Sequence, residues 1–184
     1  MKFRLLVAFL AMAFLALGGA VKAHAEAHIN LPPPNEIHAT PQDVKDIMAM
    51  YDGLEGALAK KDLGAIMSYY APDYDYQHAD KSELRYLWSE QLAKFEKLYS
   101  VHNFSELTVQ GTEAAITCTG VLFGLPKGAT DYVVVDSWQM QPHYLTKKSG
   151  SWKIVGGSTH WVEEKLKIPG KRRVTYSLQF HPFF

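Results

Sequence analysis

From Thr40 onward, Val44, Ile47, Met48, Tyr51, Leu54 and Leu58 recur at helical spacing, which predicts an amphipathic helix with one apolar stripe against a core. Its start is marked by Thr40-Pro41-Gln42-Asp43: a capping hydroxyl, a proline at the first helical position and an acidic residue in the first turn. A shorter helix capped by Asp62 is predicted on Leu63, Ile66, Met67 and Tyr70, ended by Pro72. Tyr74 to His78 reads as a short strand. Asp80 and Glu83 then form a capping pair for a third helix, with Leu84, Leu87, Trp88, Leu92, Phe95 and Leu98 as its stripe.

Near residue 100 the period changes from helical to alternating. Val101 to Gln110, Glu113 to Leu122, Tyr132 to Thr146 and Trp152 to Glu163 read as strands, separated by Gly111, Pro126-Lys127-Gly128 and Lys147-Lys148-Ser149-Gly150. Helices first and antiparallel strands afterwards predict an α+β domain, with three N-terminal helices packed on a curved antiparallel sheet. A last alternating segment, Val174, Tyr176, Leu178 and Phe180 before Pro182-Phe183-Phe184, predicts an added edge strand or a dimer contact. The string of such strands that an outer-membrane barrel requires is missing.

The first residues change the picture of the mature chain. Lys2 and Arg4 precede the apolar run Leu5 to Leu17, followed by Gly18, Gly19 and Ala23-His24-Ala25; this is the three-part pattern of a signal peptide, with cleavage expected after Ala25. The run is shorter than the roughly 20 residues of a spanning helix, so no stable membrane anchor is expected. Export to the periplasm or the exterior follows. Residues 26–39, with Leu31-Pro32-Pro33-Pro34-Asn35, read as an extended Pro-rich leader, residues 40–163 as the domain, and residues 164–184 as a basic extension.

Charge and cysteine usage narrow the partners. The chain has 19 basic and 19 acidic residues, and Lys2, Arg4 and Lys22 lie in the signal, so the mature form carries 16 basic against 19 acidic. An excess of negative charge argues against a nucleic-acid partner. Lys165, Lys167, Lys171, Arg172 and Arg173 crowd the end of the chain, either lying on the acidic body or forming a basic arm for anionic lipid. Cys118 is the only cysteine, so no internal disulfide forms. Its alternation with Ala114 and Ile116 reads as a small residue on the buried face of a strand.

Three features together resemble the NTF2-like superfamily, which includes SnoaL-like and ketosteroid-isomerase-like proteins. They are the long helix leading through Lys60-Lys61-Asp62-Leu63 to Tyr69-Tyr70-Ala71-Pro72-Asp73, the third helix after a short strand, and the hairpin Lys147-Lys148-Ser149-Gly150-Ser151-Trp152-Lys153-Ile154-Val155. The resemblance covers roughly residues 41–162. It implies a curved sheet wrapped around the first helix and a conical cavity open at one end. It implies no single function, because that cone hosts isomerases, dehydratases, cyclases, hydrolases and plain binding modules.

Within that resemblance, the general-base position of ketosteroid isomerases falls eight residues after Tyr70, on His78, and an imidazole suits a base near neutral pH. The family's oxyanion tyrosine position holds Leu54, with Tyr51 one turn earlier, and no matching protonated acid is evident on the sheet; steroid isomerase activity is not expected. His160 shares a strand face with Trp152, Ile154 and Ser158 and points inward, making a pair with His78 as the candidate catalytic residues. The bland alternative is two buried histidines held by hydrogen bonds.

Tyr51, Tyr70, Tyr76, Trp88, Asp136 and Trp138 are the candidate ligand-binding residues, since tyrosine and tryptophan combine apolar area with a polar handle; Asp136 is the expected polar partner of Trp138. His78, His102, His143 and His160 show no close ligand spacing, so no metal is expected, and no cofactor motif is present. The lead expectation is an exported protein binding a small, largely apolar molecule, with or without acid–base chemistry. The alternative is a non-catalytic dimerisation or interaction module of the cell envelope whose cone is filled by its own side chains. A homodimer is expected in either case.

Overall fold

The computed structural model describes residues 28–77, 79–156 and 181–184. Helix α1 (Pro41–Ala59) begins where the sequence places its cap: the Thr40 hydroxyl accepts from the Asp43 backbone N–H at 3.1 Å. Helix α2 (Leu63–Ser68) is capped by Asp62. Helix α3 (Lys81–Lys94) starts at Asp80, whose carboxylate accepts from the Ser82 and Glu83 N–H groups while Glu83 reaches back to the Asp80 N–H, a complete capping box. Among the described residues no helix is long and apolar enough to cross a membrane.

The strands are β1 (His28–Asn30), β2 (Ile37–His38), β3 (Tyr70–Tyr76), β4 (Ala79–Asp80), β5 (Phe95–Gln110), β6 (Glu113–Pro126), β7 (Val133–Lys148) and β8 (Ser151–Gly156). Among the described residues they form one curved eight-stranded sheet in the order β1-β5-β6-β7-β8-β3-β4, with β2 also on β5. β5 to β8 form an antiparallel meander. The sheet as a whole is mixed and not antiparallel, because β1 and β2 run parallel to β5, and β3 runs parallel to β8. Those pairings join segments distant in sequence, so no local pattern announces them.

Two boundaries move for the same reason. Tyr70 belongs to β3 and not to the second helix, since α2 ends at Ser68 and the Ile154 N–H donates to the Tyr69 carbonyl at 2.9 Å as the chain meets β8. Phe95 and Leu98 belong to β5, where pairing with Pro126 and Gly124 replaces the hydrogen bonds a longer α3 would have made.

Alternation along β6 is regular: Ala114, Ile116, Cys118 and Leu122 are buried on the concave face. Along β7 a bulge breaks it. Cys118 pairs with Gln141 but Gly120 with Trp138, and Met140 takes the extra position with φ 51°. The inward parity therefore switches, and Trp138 and His143 both face the cone although they are an odd number of residues apart. The β7–β8 turn places Ser149 and Gly150 at φ 51° and 81°, the left-handed pair that matches strand twist in a tight hairpin. The core packs α1 through Ile47, Tyr51, Leu54 and Leu58 against the concave face, closed by Leu84 and Trp88 of α3.

Gly120 sits where a side chain would strike the Trp138 indole and the Val101 carbonyl, whereas a Cβ on Gly56 in α1 would meet nothing within 4 Å. Gly120→Ala is expected to lower unfolding free energy by about 1–3 kcal/mol through overpacking. Gly56→Ala should raise it by about 0.5–1 kcal/mol through helix propensity. Urea unfolding of the two variants, with opposite shifts in midpoint, is the check.

Candidate functional site

The cone interior is built from α1, α3, β3 and the concave faces of β5 to β7, and residues 181–184 lie inside it. His181, Pro182, Phe183 and Phe184 are all buried. The Trp138 ring stacks on His181 (centroids 4.1 Å apart, 20° between planes) and on Phe184 (5.3 Å, 28°). Trp88 lies 4.5 Å from Phe183. The Tyr70 hydroxyl donates to the Phe183 carbonyl and the Tyr74 hydroxyl to the Pro182 carbonyl at 2.6 Å, while Trp88 Nε1 donates to the Tyr70 oxygen at 3.0 Å. Tyr76 is hydrogen-bonded to the His181 backbone, and Asp136 Oδ2 accepts from His181 Nδ1 at 2.7 Å.

The six residues singled out as ligand-binding are thus brought together: Tyr70, Tyr76, Trp88, Asp136 and Trp138 each touch residues 181–184, and Tyr51 reaches them through His143. Asp136 serves His181 and not Trp138, whose Nε1 instead donates to Cys118 Sγ at 3.2 Å. His78 and His160 lie outside the described residues, as does the segment 174–180 expected to form an edge strand.

Two chains of buried polar groups cross this interior. In the first, Asp136 Oδ2 accepts a hydrogen bond from His181 Nδ1, His181 Nε2 lies 3.4 Å from His143 Nε2, and His143 Nδ1 lies 3.1 Å from the Tyr51 hydroxyl. Each ring nitrogen of the two imidazoles thus has a polar partner. Burial holds His143 well below its ordinary pKa and Tyr51 well above, so both stay neutral.

In the second chain the Ser100 backbone N–H (3.1 Å) and hydroxyl donate to Glu55, His102 Nε2 donates to Ser100 Oγ at 2.7 Å, and the Cys118 thiol lies 3.5 Å from His102 Nδ1. Burial raises Glu55 to about 7 against the opposing pull of the Ser100 hydrogen bonds, lowers His102 to about 3 and raises Cys118 to about 12. A thiol so placed is a protonated core group and not a nucleophile.

Glu55, Ser100 and His181 carry this network without having been legible as site residues. A partial signal was present: Ser100, His102 and Phe104 share strand parity, and Glu55 borders the α1 stripe beside Leu54. His102 and His143 looked unrelated because sequence spacing does not measure distance across a sheet.

No protein-family model matches the chain, and a search of curated proteins finds no match. Solved structures do. A candidate aromatic ring hydroxylase from Novosphingobium aromaticivorans superposes with TM-score 0.52 at 15% identity, covering 65% of this chain and 88% of its own. A conserved protein from Planctomyces limnophilus gives TM-score 0.54 at 12% identity over 64% of this chain and 94% of its own. A candidate dehydratase of the NTF2-like family from Streptomyces avermitilis gives 0.47 at 16% identity over 64% and 94%. At these identities the likeness is one of fold alone. With α1 laid in the hollow of a curved sheet and α3 closing one side, the chain has an α+β cone fold of the kind that the resemblance of its motifs implies.

Proposed function

We propose that this is an exported binding protein whose cone takes a flat, largely aromatic molecule in the place that residues 181–184 fill. One observation carries the reading: those residues are held as a ligand would be, by ring stacking on Trp138 and Trp88 together with three directed polar contacts from Tyr70, Tyr74 and Asp136. The contacts specify a chemistry. Tyr70 and Tyr74 present hydroxyl donors to carbonyl oxygens, and Asp136 presents an acceptor to an N–H. A matching ligand bears a carbonyl-type oxygen on one edge, an N–H or O–H on the other, and a planar ring between them. The signal-peptide pattern of residues 1–25 supports export.

The filled cone also favours a second reading, a non-catalytic interaction module whose interior is permanently plugged. The two differ in whether the segment yields. Binding of 8-anilinonaphthalene-1-sulfonate to the full chain and to a Phe183→Ala/Phe184→Ala variant separates them, with circular dichroism verifying that the variant is folded. A replaceable segment requires at least tenfold tighter probe binding by the variant, and binding reversed by Trp138→Ala. Equal, negligible binding by both proteins leaves the plugged module standing and sinks the ligand reading.

The interior also dictates a pH response. Glu55 has a native pKa raised from 4.5 to about 7, so its contribution to stability is complete below 4.5 and is lost as pH rises through 7. His102, depressed from 6.5 to about 3, acts in the opposite sense, with stability present above 6.5 and lost as pH falls toward 3. Glu55→Gln isolates the first effect. Relative to wild type, that variant should gain stability between pH 4.5 and pH 8, by up to about 3 kcal/mol on the raised carboxyl pKa. Thermal unfolding across this range measures the gap between the two proteins, which should widen with pH and not stay constant.

A further inference from the structure

His102 on β5, Cys118 on β6 and His143 on β7 occupy adjacent strands of the concave face. The register pairs Cys118 with Phe104 on one side and Gln141 on the other, so each histidine is two residues from the position opposite the cysteine. Diagonal neighbours of this kind are within reach of long side chains. Here they bring one imidazole nitrogen from each histidine and the cysteine sulfur to within 4.8 Å of one another, with all three side chains buried.

We propose that His102, Cys118 and His143 form a binding site for a single thiophilic cation, zinc(II) or copper(I). Zinc bonds of about 2.0–2.1 Å to nitrogen and 2.3 Å to sulfur require donor atoms roughly 3.3–3.8 Å apart. The separation of Cys118 Sγ from His102 Nδ1, 3.5 Å, already meets that requirement. Both cations favour imidazole and thiolate together. Three protein donors satisfy copper(I) alone and zinc(II) with one further, non-protein ligand.

The surroundings suit a metal in a second, independent way. A ligating imidazole is normally oriented by a hydrogen bond from its other nitrogen, often to a carboxylate. With His102 bound through Nδ1, its Nε2–H is held by Ser100 Oγ at 2.7 Å, and Ser100 is held in turn by the buried carboxylate of Glu55. His143 has the Tyr51 hydroxyl on one nitrogen and His181 on the other, so either can serve as its outer partner. The Trp138 indole N–H, 3.2 Å from Cys118 Sγ, would support a thiolate. On binding, the Cys118 S–H bond breaks, the sulfur keeps the electron pair and forms the metal–sulfur bond, and the proton leaves to solvent. Thiolate and copper(I) cancel in charge, which is what a site removed from water requires.

This site does not depend on the aromatic ligand proposed above, and its test does not use that ligand. The full chain, stripped with a chelator, is titrated in two arms: zinc(II) in competition with 4-(2-pyridylazo)resorcinol, and copper(I) in competition with bicinchoninate under reducing, anaerobic conditions. Each metal is added both to the folded chain and during refolding, so that slow entry cannot mask a site. We expect one equivalent bound in at least one arm, at least 100-fold weaker binding by Cys118→Ser and by His143→Gln, and the arm that succeeds to name the metal. Cobalt(II) added to wild type should give a thiolate-to-metal charge-transfer band, which needs no variant to fold. Absence of that band with no stoichiometric uptake in either arm overturns the proposal, as does equal uptake by wild type and Cys118→Ser.

Discussion

The concave face of the curved sheet is lined by apolar and aromatic side chains from β5, β6 and β7, and a single helix covers only part of it. That mismatch between the area a bent sheet offers and the area one helix can bury governs the interior. α1 covers one part through Ile47, Tyr51, Leu54 and Leu58, and α3 adds Leu84 and Trp88 at the side. What remains must be filled, since an apolar surface of that size left open would forfeit about 25 cal/mol for each Å² exposed. In this chain the filling comes from its own residues 181–184, with Phe183 and Phe184 supplying the ring area.

Filling with aromatic rings leaves polar atoms to be satisfied. His181 enters with two ring nitrogens and three buried backbone carbonyls or N–H groups follow nearby, so the walls carry matched donors and acceptors: Asp136 and His143 for the imidazole, Tyr70, Tyr74 and Tyr76 for the backbone. The tyrosines are therefore more than bulk. Their ring bodies pack and their hydroxyls discharge hydrogen bonds that would otherwise cost about 1–3 kcal/mol each if left unmade in the interior.

The same geometry concentrates titratable groups where water is excluded. Glu55, His102, Cys118 and His143 have each moved toward the neutral form, with burial as the largest cause. A strand meander is well suited to assembling such a set. Neighbouring strands put side chains side by side regardless of the loop length between them, and one bulge at Met140 decides which residues of β7 join the cluster.

Much of this architecture is written locally. Helix starts at Thr40, Asp62 and Asp80 are fixed by side chains that bond the first-turn N–H groups, and the period-two alternation of β6 sets which of its residues face inward. The aromatic and acidic residues of the cone were legible by type and parity, because short-range pattern controls both. The parallel pairings of β1, β2 and β3, the bulge that turns His143 inward, and the meeting of His102 with Cys118 were not. Nor was the placing of His181 to Phe184 inside the cone. Each of these depends on which distant segments share a surface, and that is decided by burying area and satisfying backbone groups across the whole sheet, a sum that no window of sequence contains.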